Sequence, residues 1–370
     1  MFVLVWGPRS DDSDLRGQEL HGIEYASALN KLLPAVVDAQ SNAVQGKQVA
    51  KGGFSEGLDA VAAADEKYGA DFGTSNRWSG LRARIETLPE QGAGDAEGAF
   101  RSYGEVTDLL LALYAQVAQA SGLRHDGDRV INFIQDAGLE EIPSAIVWAG
   151  RFQDQAYISK DLPDPSRTSD DATFKAQQDQ LNESLTAMAV SRQITGESGA
   201  DVAADMASAV DASGSGTFDT DLLQSLDAFQ RGIESVAPPG QEAITAKPDP
   251  KSVASLRSSA QNAAGSLNPL LLGELRSQVE DRKSSSDAGR LLGAAVAAIA
   301  VLALLASILM GLLGRRRSRP VDAPSDYRGA PNEPVDYPAY PTGEPMGPDS
   351  YLNNLDAGRD ARRERIGVPR

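Results

Sequence analysis

Apolar positions recur at intervals of three and four along most of this chain, and that spacing predicts helices. Over about residues 11–48 they are Leu15, Ile23, Leu29, Leu32, Leu33, Val36 and Val37. Residues 46–53 form a break. A weaker helical pattern covers 55–67, and another over 76–88 carries Trp78, Leu81 and Ile85. The clearest pattern lies over 99–120. There Val106, Leu109, Leu110, Leu113, Tyr114 and Val117 fall on one stripe, which faces one core. The stripe ends at Ser121 and Gly122, a glycine suited to a left-handed cap. Asp126 or Asp128 then caps the next helix. In that helix Ile131, Ile134, Gly138, Ile142, Ala145, Ala149 and Phe152 step by three or four. The short connection predicts a tight helical hairpin over about 99–158.

Residues 162–169 are rich in Pro and Asp and read as a loop. Helical patterns follow over 171–193 and 218–236, while 196–216 is small, acidic and ambiguous. A Pro-rich linker covers 238–250. Helix resumes at Lys251 and is interrupted at Gly265, Ser266 and Leu267, where Asn268 and Pro269 form an N-cap and first-turn pair. From Pro269 it continues through Leu275 and Val279 to Arg290. No strand pattern of similar quality occurs. Aromatics make up only 6% of the chain, and Ala, Gly, Asp and Ser are abundant, which suits helices packed through small residues. The expectation is an all-α, antiparallel up-down helical bundle.

One segment changes the picture. Residues 291–313, bounded by Leu291 and Leu313, carry no charge, and as a helix they extend roughly 35 Å, enough for a bilayer core of about 30 Å. The reading is a transmembrane helix. Arg315, Arg316, Arg317 and Arg319 follow it and favour a cytoplasmic tail with contact to anionic lipid, although Arg276, Arg282, Lys283 and Arg290 flank the other side. Gly289 and Gly293 are four apart, with Ala297 four further on, and this small-residue spacing permits a helix dimer. Residues 314–370 hold scattered tyrosines and nine of the twenty prolines, and cannot form a core. The expected organisation is an N-terminal stub at 1–11, a helical extracytoplasmic domain at 12–237, the linker at 238–250, exit helices at 251–290, the membrane helix and the tail. The stub reads either as the end of a first transmembrane helix or as a short disordered or interfacial terminus.

Net charge is −17, and the ten basic and nine acidic residues from Arg315 onward leave −18 before them. A domain so acidic repels nucleic acid and anionic surfaces. With no cysteine, disulfides and thiolate chemistry are excluded. His21 and His125 are the only histidines, so a multi-His zinc site is excluded too. No acid–base constellation, phosphate loop or nucleophile triad stands out, and no cofactor is expected. Ser121, His125, Asp126 and Asp128 at the hairpin turn are candidate ligand residues, with helix capping as the plainer role for the aspartates. Trp78 and Trp148 sit in helical register and are assigned to the core rather than to a pocket wall. Glu140 and Glu141 are adjacent and so point apart.

The hairpin also carries a pattern. Tyr103 precedes the Val106, Leu109, Leu113 stripe; then come Ser121-Gly122-Leu123, Asp126-Gly127-Asp128, an apolar stretch from Ile131 to Ile134, and Ile142-Pro143. This resembles the helical extracytoplasmic sensor region of bacterial transmembrane signalling proteins such as histidine kinases, chemoreceptors and cyclic-dinucleotide cyclases. Gly22-Ile23-Glu24-Tyr25 with Leu32-Leu33 looks like the opening helix of that region, and residues 269–282 like its exit helix. Gly127 stands where proline is usual, and Ile131 and Phe133 replace an aromatic pair. The excess of Arg over Lys fits a GC-rich bacterial genome. The resemblance implies a non-enzymatic, membrane-anchored protein that signals or scaffolds through a partner of its tail or bundle, since no kinase, methyl-accepting or cyclase domain follows the run. The alternative is a C-terminally anchored extracytoplasmic enzyme acting on envelope material.

Overall fold

The computed structural model describes residues 3–91, 95–125, 128–164, 166–213, 220–240 and 243–315, without the side chains of 3–13, 51, 90, 91, 125, 213 and 286–315. Among these residues the chain is all-α, with no strand. It divides into one compact unit, Met1–Leu304, and a second, Leu305–Arg370, of which only the end of one helix is described.

The first unit is built around α1 (Val3–Val44). From Ile23 to Val44 this helix is buried over most of its surface, leaving a stripe at Ser27, Lys31, Asp38 and Asn42 exposed. It turns back at Gly46, whose φ of 70° is left-handed, and a short 3-10 turn leads into α2 (Ser55–Phe72). Antiparallel pairing is evident in the contacts: Gly57 lies against the Leu32 backbone, and Tyr25 donates to Asp65 at 3.0 Å. A Cβ on Gly57 would sit 2.7 Å from Leu32 Cα, so only glycine permits this approach. α3 (Ser75–Gln91) and α4 (Ala96–Ala120) follow, again antiparallel, with Arg84 near Glu105 at 3.5 Å.

The stripe on α4 is where its spacing places it. Val106, Leu110, Leu113, Tyr114 and Val117 are buried, and α4 packs on α1 in the opposite direction. Asp95 caps the start of α4 by accepting from Gly98 N, and Gly122 at φ 87° turns the chain beyond its end. Asp128 caps α5 (Arg129–Asp136) by accepting from Val130 N at 2.6 Å. α5 passes through a π turn, Ala137–Glu141, directly into α6 (Ile142–Ile158). The expected hairpin is present, with this extra residue per turn in its second arm.

Two expected interruptions are absent. The ambiguous stretch 196–216 lies largely within α7 (Ala172–Ser213), which runs unbroken. Gly196 and Gly199 face α8 (Thr220–Val236), and a Cβ on Gly199 would stand 2.5 Å from Ile233 Cγ2. These glycines serve close helix packing rather than chain reversal. Likewise α9 (Pro250–Arg315) passes straight through Gly265, Ser266 and Leu267 with Pro269 inside it. Proline removes one backbone bond and crowds the carbonyl four residues back. That residue is Gly265, which has open space around it and can tilt. Burial of Leu267, Leu271, Leu275 and Val279 holds the helix across the defect.

α9 runs antiparallel to α1, meeting it at Asp38 through Arg257 and at Asn30 through Asn268. Among the described residues no helix is long and apolar enough to cross a membrane. The run 291–313 is helical in backbone, and its side chains lie outside the described residues, as do the surroundings of Gly289 and Gly293 and the side chain of Arg315. Arg316, Arg317, Arg319 and the remaining tail also lie outside them.

Candidate functional site at the polar interior of the last helix

Most of the core is dry, but the contact between α9, α1 and α6 is not. Asn30 Oδ1 accepts from the Tyr114 hydroxyl at 2.6 Å and from Asn268 Nδ2 at 3.0 Å, joining α1, α4 and α9 through one atom. About two turns along α1, Asp38 pairs with Arg257 at 2.6 Å and accepts from Gln261 at 3.2 Å. Behind them Asp154 of α6 is 1% exposed and accepts from Gln40 Nε2 at 2.8 Å. Burial pushes its carboxyl up to about 7, against the Ser41 hydroxyl, the Gln40 amide and the Arg257 and Arg151 charges, which pull it down. Gln40 Oε1, Gln153 Oε1 and Arg257 Nε are buried there without a hydrogen-bond partner. Each such atom costs about 1–3 kcal/mol. Directional contacts of this kind penalise any geometry in which they are unmade.

The other end of α9 meets the hairpin turn. Ser121 is fully buried and donates to Ala118 O at 3.4 Å, closing the end of α4 beneath Gly22 of α1. His125 lies in a 3-10 turn with its side chain outside the described residues, and Asp126 lies outside them altogether. Asp128, besides capping α5, pairs with Arg282 of α9. The four turn residues therefore do not form one described cluster. The turn meets α9 at Arg282, nine residues before the apolar run.

Acidic groups gather between the π turn and α7. Burial raises Glu141 to about 7, with Ser198 opposing and Asp201, Glu140 and Asp205 adding; burial and then Asp136 and Asp201 raise Asp205 to about 6. Among the described residues no group of three or more His, Asp or Glu side chains is placed to hold a metal ion. Glu140 points away from Glu141, as adjacent helical residues do, and pairs with Arg124.

Among the described residues a groove runs between α4 and α7, floored by α6. It comprises two cavities of about 510 and 420 Å³ that share Phe100, Arg101, Gln155 and Ala187. Trp148 forms part of its wall and stacks under the Arg151 guanidinium at 4.4 Å, while Arg151 also pairs with Asp108 at 2.5 Å. Trp78 is buried, in keeping with its core assignment; Trp148 is half-buried and meets the groove. Sequence spacing does not reveal Asp154, Arg257 or Asn268 as interior groups. Their one signal is a polar residue at a position in register with apolar neighbours, as Asn268 is with Leu267 and Leu271.

No family model matches the chain, and no curated protein or solved structure matches it either.

Proposed function

We propose that this chain is a non-enzymatic, membrane-anchored protein whose helical body lies outside the cytoplasmic membrane. In this reading it signals or scaffolds through a partner protein of its tail or body. One observation carries the reading: α9 is a single helix from Pro250 to Arg315, so the helix seated in the body is also the helix that contains the apolar run. A change of seating at Asn30, Asp38 or Asp128 acts directly on the segment that enters the bilayer. The extracytoplasmic placement rests on the arginines after the run, and the signalling role on the resemblance of residues 103–143 to sensor regions. A dimer through Gly289 and Gly293 belongs to the same reading.

The absence of cysteine makes the test direct. Single cysteines placed at exposed Glu86 in the body and at Ser325 in the tail are treated in intact cells with a membrane-impermeant maleimide. The body cysteine labels and the tail cysteine labels only after lysis. Labelling of the tail alone places the body inside and ends the proposal.

A further inference from the structure

The groove between α4 and α7 is lined by polar groups that are largely buried yet still unbonded. Arg151 is 8% exposed, and its Nη2 donates to Gly104 O, Thr107 Oγ1 and Asp108. Its Nε and Nη1 make no hydrogen bond among the described residues and keep contact with solvent, as does the indole N–H of Trp148 on which the guanidinium stacks. Ser184 of α7 is 6% exposed, and its Oγ is likewise unbonded and accessible. Gln155, shared by both cavities, has neither side-chain amide atom bonded among the described residues. The orphaned atoms of the polar interior are sealed from solvent, whereas these remain within reach of a ligand.

Charge divides along the groove. In the cavity at Trp148, Asp108 is answered by Arg151 and Glu105 by Arg84, which leaves exposed Arg101 in excess. In the other cavity Glu97 accepts only from the neutral Gln180, and Glu183 makes no ion pair among the described residues. Taken whole, four carboxylates line the groove against two guanidiniums, so it is net acidic and disfavours a simple anion.

We infer that the groove binds a short free peptide, about three residues long, with its terminal carboxylate at Arg151 and its terminal ammonium between Glu97 and Glu183. The two ends are lined seven residues apart on both helices, by Arg151 and Ile158 on α6 and by Val190 and Glu183 on α7. Seven helical residues rise about 10 Å. An extended chain of three residues spans about 10 Å as well. Gln155 lies midway, and its side-by-side donor and acceptor match the C=O and N–H of a backbone amide. Phe100 and Val190, the latter 44% exposed, offer apolar surface to a side chain. The two cavities, about 510 and 420 Å³, fall within the roughly 300–1,000 Å³ of small-molecule sites. Such a peptide is the signal only in the signalling form of the proposed function; its binding does not rest on that reading.

The probe is alanyl-leucyl-alanine, titrated into the full chain in detergent and followed by calorimetry. The free tripeptide binds saturably. Its N-acetyl and C-amide forms, and the dipeptide alanyl-leucine, which cannot reach both ends, each bind about tenfold or more weakly. Glu183→Gln, at an exposed position, weakens the free tripeptide about tenfold and leaves the N-acetyl form unchanged; Arg101→Gln does the same for the free and C-amide forms. A general structural defect weakens every ligand alike. No saturable binding of the free tripeptide, equal affinity for the blocked or shortened forms, or a variant that weakens free and blocked peptides equally or not at all overturns the inference. These outcomes are independent of the maleimide labelling, so the two proposals fail separately.

Discussion

α4 and α9 both lie antiparallel on α1, yet they are held by different means. α4 presents Val106, Leu110, Leu113 and Val117, a continuous apolar stripe, and among its described residues Tyr114 makes the polar contact to α1. α9 buries Leu267, Leu271 and Leu275 as well, but threads them between Asn268, Gln261 and Arg257, each bonded or paired to a residue of α1. Apolar area stabilises in proportion to what is buried and tolerates small shifts. Buried polar pairs add little net stability, but they penalise every geometry in which they are unmade. The difference is one of means: α4 is held on α1 mainly by apolar burial, α9 by apolar burial together with polar contacts from Asn268, Gln261 and Arg257.

Several substitutions break or sharpen that contrast. Leu110→Ala removes a fully buried side chain from the dry interface and is expected to cost about 2–5 kcal/mol in chemical denaturation; a loss below 1 kcal/mol, about the effect of a surface change, contradicts the dry-core account of α4. Asp154→Asn tests the wet side through pH. The folded carboxyl, raised from 3.8 to about 7, favours the protonated form. Its contribution is therefore complete below about pH 4 and is lost as pH rises through about 7. The variant escapes this loss, so its stability relative to wild type rises between pH 5 and pH 8 by on the order of 1–4 kcal/mol. Glu141 and Asp205, raised in the same direction, titrate equally in both proteins and cancel from the difference. A difference that is flat with pH rejects an interior Asp154.

Asn30→Leu strands the Tyr114 hydroxyl and the Asn268 amide together, and a loss of about 1–3 kcal/mol is expected. Adding Asn268→Leu recovers part of it, because both α1 and α9 partners are then apolar; strictly additive losses in the double variant show that the two asparagines do not interact. Smallest is Arg84→Ala, an exposed pair with Glu105 away from both interfaces, at no more than about 0.5 kcal/mol.

Much of the body can be read from spacing. The buried face of α4, the caps at Asp128 and Gly122 and the all-α class follow from residues within a few positions of one another. The misreadings share a cause. Gly196, Gly199 and Gly265 look like breaks locally, but Gly199 is explained by Ile233 on α8, Gly196 by Ala237 just beyond it, and Gly265 by Pro269 in the same helix. The polar interior is less legible still, because Asp154 lies beside Gln40, Arg257 beside Asp38 and Asn268 beside Asn30, all far apart in the chain.

By itself, then, the sequence determined most of the helical segments, the apolar face of α4 and where the uncharged run 291–313 lies, but not the continuity of α7 and α9, since periodicity, capping and hydropathy are local properties. Only the tertiary structure decided which glycines are contacts, which carboxylates lose their water and that the π turn packs on α9 through Gly138. Those depend on desolvation by a neighbour, and the neighbour is known only once the chain has folded.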